Sequence, residues 1–222
     1  MNRKTIASLI DHTLLRSDAT YGEIKRLCEE ALEFGFFSVC INPCFIKMAK
    51  EILKGSDVRV TTVIGFPLGM TLTEVKIYEA MNVSLLGADE LDIVINIGAL
   101  KSGDWETVRK DIADVIMATK GLIHKTIIET CYLTDDEMKR AVKIALDAGS
   151  EFIKSSTGFG PHSARVKDVR LIKGVVGEAA GIKAAGGIRT LKRVCAMLEA
   201  GAARIGTSSG VKIVKELEEI GS

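Results

Sequence analysis

The sequence predicts a single-domain α/β fold, the (β/α)8 or TIM barrel, covering the whole chain from 1 to 222. One unit recurs along the chain: a helical stretch ends at glycine, and a short stretch rich in Val and Ile follows. Capping residues mark several helix starts, and eight such units can be counted. Alternating strands and helices predict parallel strands joined by right-handed crossovers, and eight units close into a barrel. An open doubly wound sheet is the alternative, but no strand is followed by a dinucleotide-binding GxGxxG.

We expect the strands to be buried on both faces, because they are short, apolar and bounded by turn residues. The predicted strands are 7–12, 38–42, 58–65, 90–96, 124–130, 151–156, 181–185 and 203–207. The first is the weakest of these patterns. The predicted helices are 20–34, 44–53, 71–86, 104–119, 134–148, 164–177, 190–200 and 209–220.

The helix ends carry local signals. Glycine just past a helix can adopt the left-handed conformation without steric cost, and the glycines in that position are Gly35, Gly87, Gly149 and Gly201. Three helix starts match the Ser/Thr-x-x-Glu capping box, namely Thr20 with Glu23, Thr71 with Glu74, and Thr134 with Glu137.

Composition excludes several classes of protein. With 47% hydrophobic and 27% charged residues the chain is expected to fold, and a formal net charge of +1 argues against a broad nucleic-acid surface. No apolar run approaches the roughly 20 residues of a membrane span, and no signal peptide is recognisable. The five cysteines include no CxxC pair, so we expect ordinary buried or half-buried thiols in the cytoplasm, Cys40 and Cys44 included, rather than disulfides or zinc ligands.

Two lysines lie in apolar strands. Lys154 falls in the sixth strand and Lys183 in the seventh, although buried lysines are rare unless they are paired. One such lysine could simply reach the rim or bind a phosphate. Two on adjacent inward-facing strands favour function, because costly charges cluster at active sites. A lysine made neutral by desolvation and by a neighbouring cation forms Schiff bases with carbonyls, but the pattern does not say which lysine is the nucleophile.

A carboxylate and a histidine accompany the lysines. Alternation places Asp92, Val94 and Asn96 on one face of the fourth strand. An inward Asp92 could pair with the lysines and relay protons, or it could face solvent at the strand start. His12 is either a general acid or base or a structural histidine.

The loops after the last strands predict an anion site. Gly186 and Gly187 follow the seventh strand, and Ser208 and Ser209 follow the eighth, where a helix begins. Backbone amides and a helix N-terminus bind phosphate, and barrels of this class often place that site in these two loops. The segment 156–158 could add donors after the sixth strand. Arg189 either assists or is a surface residue.

From these residues we expect a barrel enzyme with a nucleophilic lysine, acting on a small phosphorylated carbonyl compound. Two other classes stay open. One is an isomerase in which the lysines act only as charges and Asp92 or Glu129 is the base. The other is a silent sugar-phosphate-binding regulator.

Eight segments, spread over nearly the whole chain, resemble the deoxyribose-phosphate aldolases, a family of class I, Schiff-base-forming enzymes. The segments are LIDHTLL (9–15), SVCINP (38–43), VIGFPLG (63–69), ELDIVINIGAL (90–100), KTIIET (125–130), FIKSSTG (152–158), IKAAGGIR (182–189) and RIGTS (204–208).

The resemblance implies reversible cleavage of 2-deoxy-D-ribose 5-phosphate to acetaldehyde and D-glyceraldehyde 3-phosphate. A Schiff-base aldolase or transaldolase for another phosphorylated sugar is the alternative with the same mechanism. The resemblance also implies that Lys154 forms the Schiff base, that Lys183 is the second lysine that activates it, and that Asp92 transfers protons with a bound water. The residues implied for phosphate binding are Gly158, Gly186, Gly187 and Ser208, with Ser209 less closely matched. It implies no metal or organic cofactor, no nucleic-acid or membrane partner, and a homodimer or homotetramer. The segment 159–164 is less rich in glycine than in many relatives, which concerns substrate tolerance more than reaction type.

Overall fold

The computed structural model describes residues 2–221 and forms a closed barrel of eight parallel strands, each hydrogen-bonded to the next in chain order. The predicted fold class is therefore confirmed. The strands are β1 (Ile10–Leu14), β2 (Ser38–Ile41), β3 (Arg59–Ile64), β4 (Glu90–Val94), β5 (Ile123–Ile127), β6 (Phe152–Lys154), β7 (Gly181–Ala185) and β8 (Arg204–Thr207).

Helices surround the strands. In the described part of the chain they are α1 (Arg3–Ala7), α2 (Tyr21–Phe34), α3 (Ile46–Ile52), α4 (Thr73–Leu85), α5 (Ile97–Lys101), α6 (Trp105–Ala118), α7 (Asp135–Asp147), α8 (Val166–Val176), α9 (Leu191–Glu199) and α10 (Gly210–Gly221). Short 3-10 helices follow β2 and β5, at Pro43–Phe45 and Thr130–Tyr132.

Two short helices differ from the prediction. The first strand was expected to begin at residue 7, but α1 occupies Arg3–Ala7 because the Asn2 side chain accepts a hydrogen bond from the Thr5 amide. The strand β1 therefore begins at Ile10. The helix α5 was not predicted, and it starts where Asn96 caps the Ala99 amide at 3.0 Å. In both cases a short polar side chain satisfies an amide at the helix start.

The capping predictions are confirmed for two helices and wrong for one. Thr20 and Thr134 form complete capping boxes with the glutamates three residues later. Thr71 does not cap α4, because the helix starts two residues later and Leu72 precedes it without a side-chain bond. Instead Thr73 donates from Oγ1 to Asp111 of α6 at 2.9 Å. The predicted left-handed glycines all have positive φ angles.

The apolar core lies between the strands and the helices. The outward residues of the strands, such as Val39, Leu91 and Ile153, are fully buried against helix residues. The barrel interior is different, because many of its buried side chains are charged, including Asp92, Lys154 and Lys183. The helices therefore supply most of the apolar packing, and the inside of the barrel is free to hold polar groups.

The strand register brings the charged residues to a common level. Lys154 of β6 is paired with Lys183 of β7, and Asp92 of β4 is paired with Lys125 of β5. Closure of the barrel pairs β1 with β8 and sets Asp11 beside Gly206. Residues far apart in sequence thus face one another across the interior.

The structure bears on two expectations from composition, the burial of the cysteines and the lack of a membrane span. All five cysteines are free thiols, but Cys44 is exposed, which corrects the expectation of burial for that residue. The reason is its place in the 3-10 turn after β2, outside the barrel wall. Among residues 2–221, no helix has the length and apolar character needed to cross a membrane.

Candidate active site

The structure brings Lys154, Lys183 and Asp92 together inside the barrel. Both lysines donate from Nζ to the same carboxylate oxygen, Asp92 Oδ2, and each distance is 2.8 Å. All three residues are at most 2% exposed. Parallel strands alternate their side chains between the two faces, so these inward positions on β4, β6 and β7 converge on one point.

A second set of charges lies around this centre. Lys125 donates to the other oxygen, Asp92 Oδ1, at 2.8 Å, and its Nζ lies 2.6 Å from Glu90 Oε2. Lys183 Nζ lies 2.5 Å from Asp11 Oδ2, and Arg204 bonds the other oxygen of Asp11 at 3.0 Å. These three carboxylates and four basic side chains form one continuous network, in which every carboxylate contacts at least one basic group. Such pairing is what makes burial of charged groups tolerable.

The network shifts the acidities of its members. Burial by itself would raise the pKa of Asp92, but Lys125, Lys154 and Lys183 overcome this and hold the pKa well below its ordinary value. Burial would lower the pKa of Lys183, but the carboxylates of Asp11 and Asp92 raise it above its ordinary value. Asp92 is therefore ionised and Lys183 is protonated at neutral pH.

Above this centre lies a cavity of about 340 Å³, and Lys154 is in its wall. Four of the five predicted phosphate residues also line it, and these are Gly158, Gly186, Gly187 and Ser208. Arg189 lines the cavity as well. Ser209 does not, because it lies in a separate groove beside His12 and Glu30. The predicted lysine and most of the predicted anion loops thus share one space.

The glycines after β7 have a steric reason to be glycine. Gly186 and Gly187 have φ angles of 97° and 68°, which side chains rarely adopt. A Cβ atom on Gly187 would also lie 2.1 Å from Ser163 Oγ. The loops after β6 and β7 therefore pack closely, with the Ala164 amide bonded to the Gly186 carbonyl at 3.1 Å.

Two other candidates lie outside the cavity that Lys154 lines. His12 points from β1 towards α2, where its Nε2 lies 2.7 Å from Glu30 Oε2, so its position is that of a structural histidine. Glu129 faces a neighbouring cavity of about 260 Å³ that is lined mainly by apolar residues. Neither side chain is placed to act as a base on a molecule bound beside Lys154.

Sequence reasoning missed Lys125, Asp11, Glu90 and Arg204. Lys125 carried the same signal that revealed Lys154, an inward lysine in an apolar strand. Asp11 and Arg204 carried less signal, because their pairing depends on closure between β1 and β8. The predicted barrel makes β1 and β8 neighbours, but the sequence pattern does not give the register between them.

The barrel contains a buried lysine, a carboxylate shared by two lysines, and glycine-rich loops at its carboxyl rim. These groups are the ones that a lysine-dependent enzyme acting on carbonyl compounds uses. A family model described as DeoC/LacD family aldolase matches residues 5–216. The chain belongs to this family and is an aldolase, an enzyme of the aldehyde-lyase class.

Relatives from several organisms agree with this assignment. The chain is 53% identical to a deoxyribose-phosphate aldolase of Caldanaerobacter subterraneus over 97% of this chain and 95% of that protein. It is 56% identical to the deoxyribose-phosphate aldolase of Thermococcus gammatolerans over 95% of each chain. Among solved structures, the tetrameric deoxyribose phosphate aldolase of Aeropyrum pernix superposes with a TM-score of 0.92 at 31% identity, covering 99% of this chain and 93% of that one.

Proposed function

We propose that this chain cleaves 2-deoxy-D-ribose 5-phosphate reversibly to acetaldehyde and D-glyceraldehyde 3-phosphate, in the breakdown of deoxyribonucleotide sugars. The observation that carries this proposal is the common cavity of Lys154 and the glycine-rich loops after β6 and β7. At one side of the cavity, the Lys154 amine can form a covalent bond to the aldehyde carbon of the sugar. At another side, the backbone amides of the glycine-rich loops can bind its phosphate. Family membership supports the same reaction.

In the proposed mechanism, Lys154 Nζ attacks C1 of the open-chain sugar. Loss of water from the resulting carbinolamine leaves an iminium ion. The C3 hydroxyl then gives up its proton, the C2–C3 bond breaks, and its electron pair moves into the iminium to form an enamine. Glyceraldehyde 3-phosphate leaves. Protonation of the enamine at C2 and hydrolysis release acetaldehyde and the free lysine. The iminium is the electron sink, so the reaction requires no metal or organic cofactor.

Asp92 and Lys183 have distinct proposed roles. Asp92 would accept and return the protons of these steps, through a water where the distance requires it. Its contact with Lys154 at 2.8 Å supports this role. Lys183 would remain a cation, as the raised pKa indicates, and would disfavour a second positive charge on the nucleophile.

Phosphate binding is proposed for Gly158, Gly186, Gly187 and Ser208, with Ser209 at the start of α10. A helix N-terminus and adjacent amides favour an anion. Ser209 does not line the cavity, and its amide already donates to Thr207 Oγ1 at 2.9 Å. Its proposed contribution is therefore the placement of the α10 N-terminus.

A substrate panel tests the proposed function. We expect the purified protein to turn over 2-deoxy-D-ribose 5-phosphate far faster than fructose 1,6-bisphosphate, fructose 6-phosphate or ribose 5-phosphate. Lys154→Arg should abolish this activity and leave the fold intact, because the charge remains and the nucleophile is lost. Preference for a keto sugar would indicate another lysine aldolase or a transaldolase. Near-normal activity of Lys154→Arg would favour an isomerase.

We also propose that the chain forms a homodimer or homotetramer in the cytoplasm. Support for self-association comes from an apolar α4 surface, which we define as the exposed large hydrophobic residues of α4 and the segments flanking it. They are Leu68, Met70, Leu72, Val75, Tyr78, Met81, Leu85 and Leu86. Soluble monomers rarely expose a contiguous patch of this kind. Five free thiols support a reducing compartment.

A further inference from the structure

Glu129 is a buried carboxylate that the proposed mechanism does not use. It follows β5, is 3% exposed, and has a φ angle of 50°. Within residues 2–221, it is the only residue other than glycine with a positive φ angle. A side chain other than glycine is strained in this conformation and persists in it where surrounding contacts hold it. Those contacts therefore indicate what the residue does.

The contacts of Glu129 go to the loop after β6. Its Oε2 accepts a hydrogen bond from the Thr157 amide at 3.1 Å and a second one from Thr157 Oγ1. Thr157 Oγ1 in turn accepts from the Phe159 amide at 3.0 Å. The Thr157 hydroxyl thus donates its one hydrogen bond to Glu129 and accepts one from the Phe159 amide. This carboxylate fixes the backbone on both sides of Gly158.

The same loop is held closely against Glu129 at a second point. A Cβ atom on Gly160 would lie 2.3 Å from Cys131 Sγ and 3.4 Å from Glu129 Oε1. Cys131 also lies 3.6 Å from Glu129 Oε1. The loop from Thr157 to Gly160 therefore passes directly over the carboxylate, while Gly158 faces the catalytic cavity on the other side.

We propose that Glu129 is a positioning residue, which holds the loop after β6 in the shape that binds the substrate phosphate. Glu129 does not line the cavity that contains Lys154. It acts through Thr157, which places the Gly158 amide in the cavity. The inference rests on the proposed function, since it takes a phosphate ester to be the group that this loop binds.

The test compares 2-deoxy-D-ribose 5-phosphate with unphosphorylated 2-deoxy-D-ribose. The variants are Glu129→Leu, which removes the acceptor, and Thr157→Val, which removes the hydroxyl at constant shape. Glu129→Gln and Thr157→Ser are the conservative variants, because each retains the oxygen that forms the bond. Glu151→Leu is the matched control, since Glu151 also accepts a backbone amide, that of His124 at 2.9 Å, but precedes β6 at the opposite end of the strand.

We expect Glu129→Leu and Thr157→Val to lower kcat/KM for the phosphorylated sugar by about tenfold or more, since bonds to charged groups are the stronger ones. The loss should lie mainly in KM. The value for unphosphorylated deoxyribose should stay within about twofold, and the conservative variants should recover most of the loss. Glu151→Leu should leave the ratio of the two substrates unchanged.

Equal losses with both substrates, located in kcat, would overturn the inference and point to a chemical or general structural role. Unchanged selectivity in folded Thr157→Val would also overturn it, and this variant serves where Glu129→Leu does not fold. Failure of the wild-type protein to cleave deoxyribose 5-phosphate would contradict the proposed function itself. That result is separate from any difference between the variants.

Discussion

At the scale of single residues, the site is organised by one carboxylate oxygen. Asp92 Oδ2 accepts from both Lys154 and Lys183, and Cys40 Sγ lies 3.9 Å from the same atom. This arrangement keeps the proposed nucleophile, Lys154, and the protonated Lys183 both within hydrogen-bond distance of the proposed proton acceptor, Asp92. The two lysines differ in their other neighbours, because only Lys183 has Asp11 as a second carboxylate.

The role of Lys183 predicts a change in the pH dependence of activity. We expect Lys183→Leu to move the acid limb of the kcat/KM profile upward by about one pH unit or more, because a neighbouring cation no longer opposes protonation of the nucleophile. The exposed Lys143 of α7 provides the control variant Lys143→Leu. An acid limb that stays in place in Lys183→Leu would remove Lys183 from this role.

Asp11 predicts an acid-sensitive contribution to stability. Burial opposes its ionisation, but Lys183, Lys125 and Arg204 lower its pKa to about 2. A carboxylate whose pKa is lowered on folding stabilises the fold fully at pH values above its pKa in the unfolded chain, which is about 4. This contribution is lost as the pH falls towards 2.

We therefore expect the free energy of unfolding to fall between about pH 4 and 2, with about 2 kcal/mol of the loss due to Asp11. Asp11→Asn should show a correspondingly smaller loss over this range in urea titrations. Asp57→Asn at an exposed position is the control. An identical pH slope in Asp11→Asn and wild type would contradict the assignment.

At the scale of elements, α4 and α6 are joined by a buried ion pair outside the active site. Lys76 Nζ lies 2.5 Å from Asp111 Oδ2 and also donates to the Val94 carbonyl at 2.9 Å. Thr73 donates to the other oxygen of Asp111. The lysine thus ties the helix layer to the end of β4, which carries Asp92.

Removal of one member of this pair should be costly. We expect Lys76→Met to lower the free energy of unfolding by about 3–5 kcal/mol, because it leaves the Asp111 charge buried and unpaired. The double variant Lys76→Met, Asp111→Leu should recover much of that loss. Chemical denaturation measures both. A single variant within about 1 kcal/mol of wild type would show that the pair is dispensable.

The elements also show which signals are readable in sequence. Strands and most helices were predictable because glycine ends and threonine caps act within a few residues, as at Gly35 and Thr134. Thr71 matched the same capping pattern, but a tertiary bond from Thr73 to Asp111 accompanies a later helix start. Lys154 was predictable as a lysine in an apolar strand, and alternation placed Asp92 on one face of β4 without deciding whether that face is the inner one. The pairing of Asp11 with Arg204 was not predictable, since it depends on the register between β1 and β8.

At the scale of the whole molecule, the apolar core and the buried charged residues occupy different layers. The core between strands and helices stabilises the fold, and the charged network fills the barrel interior. Two kinds of surface then face outward: the rim with the cavity that Lys154 lines, and the apolar α4 surface. The groove on the α4 surface shares Pro67 and Leu68 with the cavity that Glu129 faces, so an assembly formed there would reach the edge of the proposed active site.

Self-association through the apolar α4 surface predicts an oligomer in solution. Tyr78 and Leu85 are 71% and 86% exposed, and their joint replacement, Tyr78→Glu with Leu85→Glu, should reduce the assembly to a smaller species because charges are costly in an apolar interface. Met117→Glu, on α6, is the control at another exposed apolar residue. Sedimentation velocity measures the masses. A wild-type monomer, or an unchanged mass in the double variant, would contradict this assignment of the surface.

The central claim is that Lys154 forms a Schiff base with a small aldehyde. Borohydride reduction in the presence of acetaldehyde, followed by peptide mass mapping, tests it most directly. We expect a reduced two-carbon adduct on Lys154 and none on Lys183, which stays protonated beside Asp11 and Asp92. An adduct on Lys183 would exchange the roles of the two lysines. Folded protein with no site-specific adduct would contradict the Schiff-base mechanism.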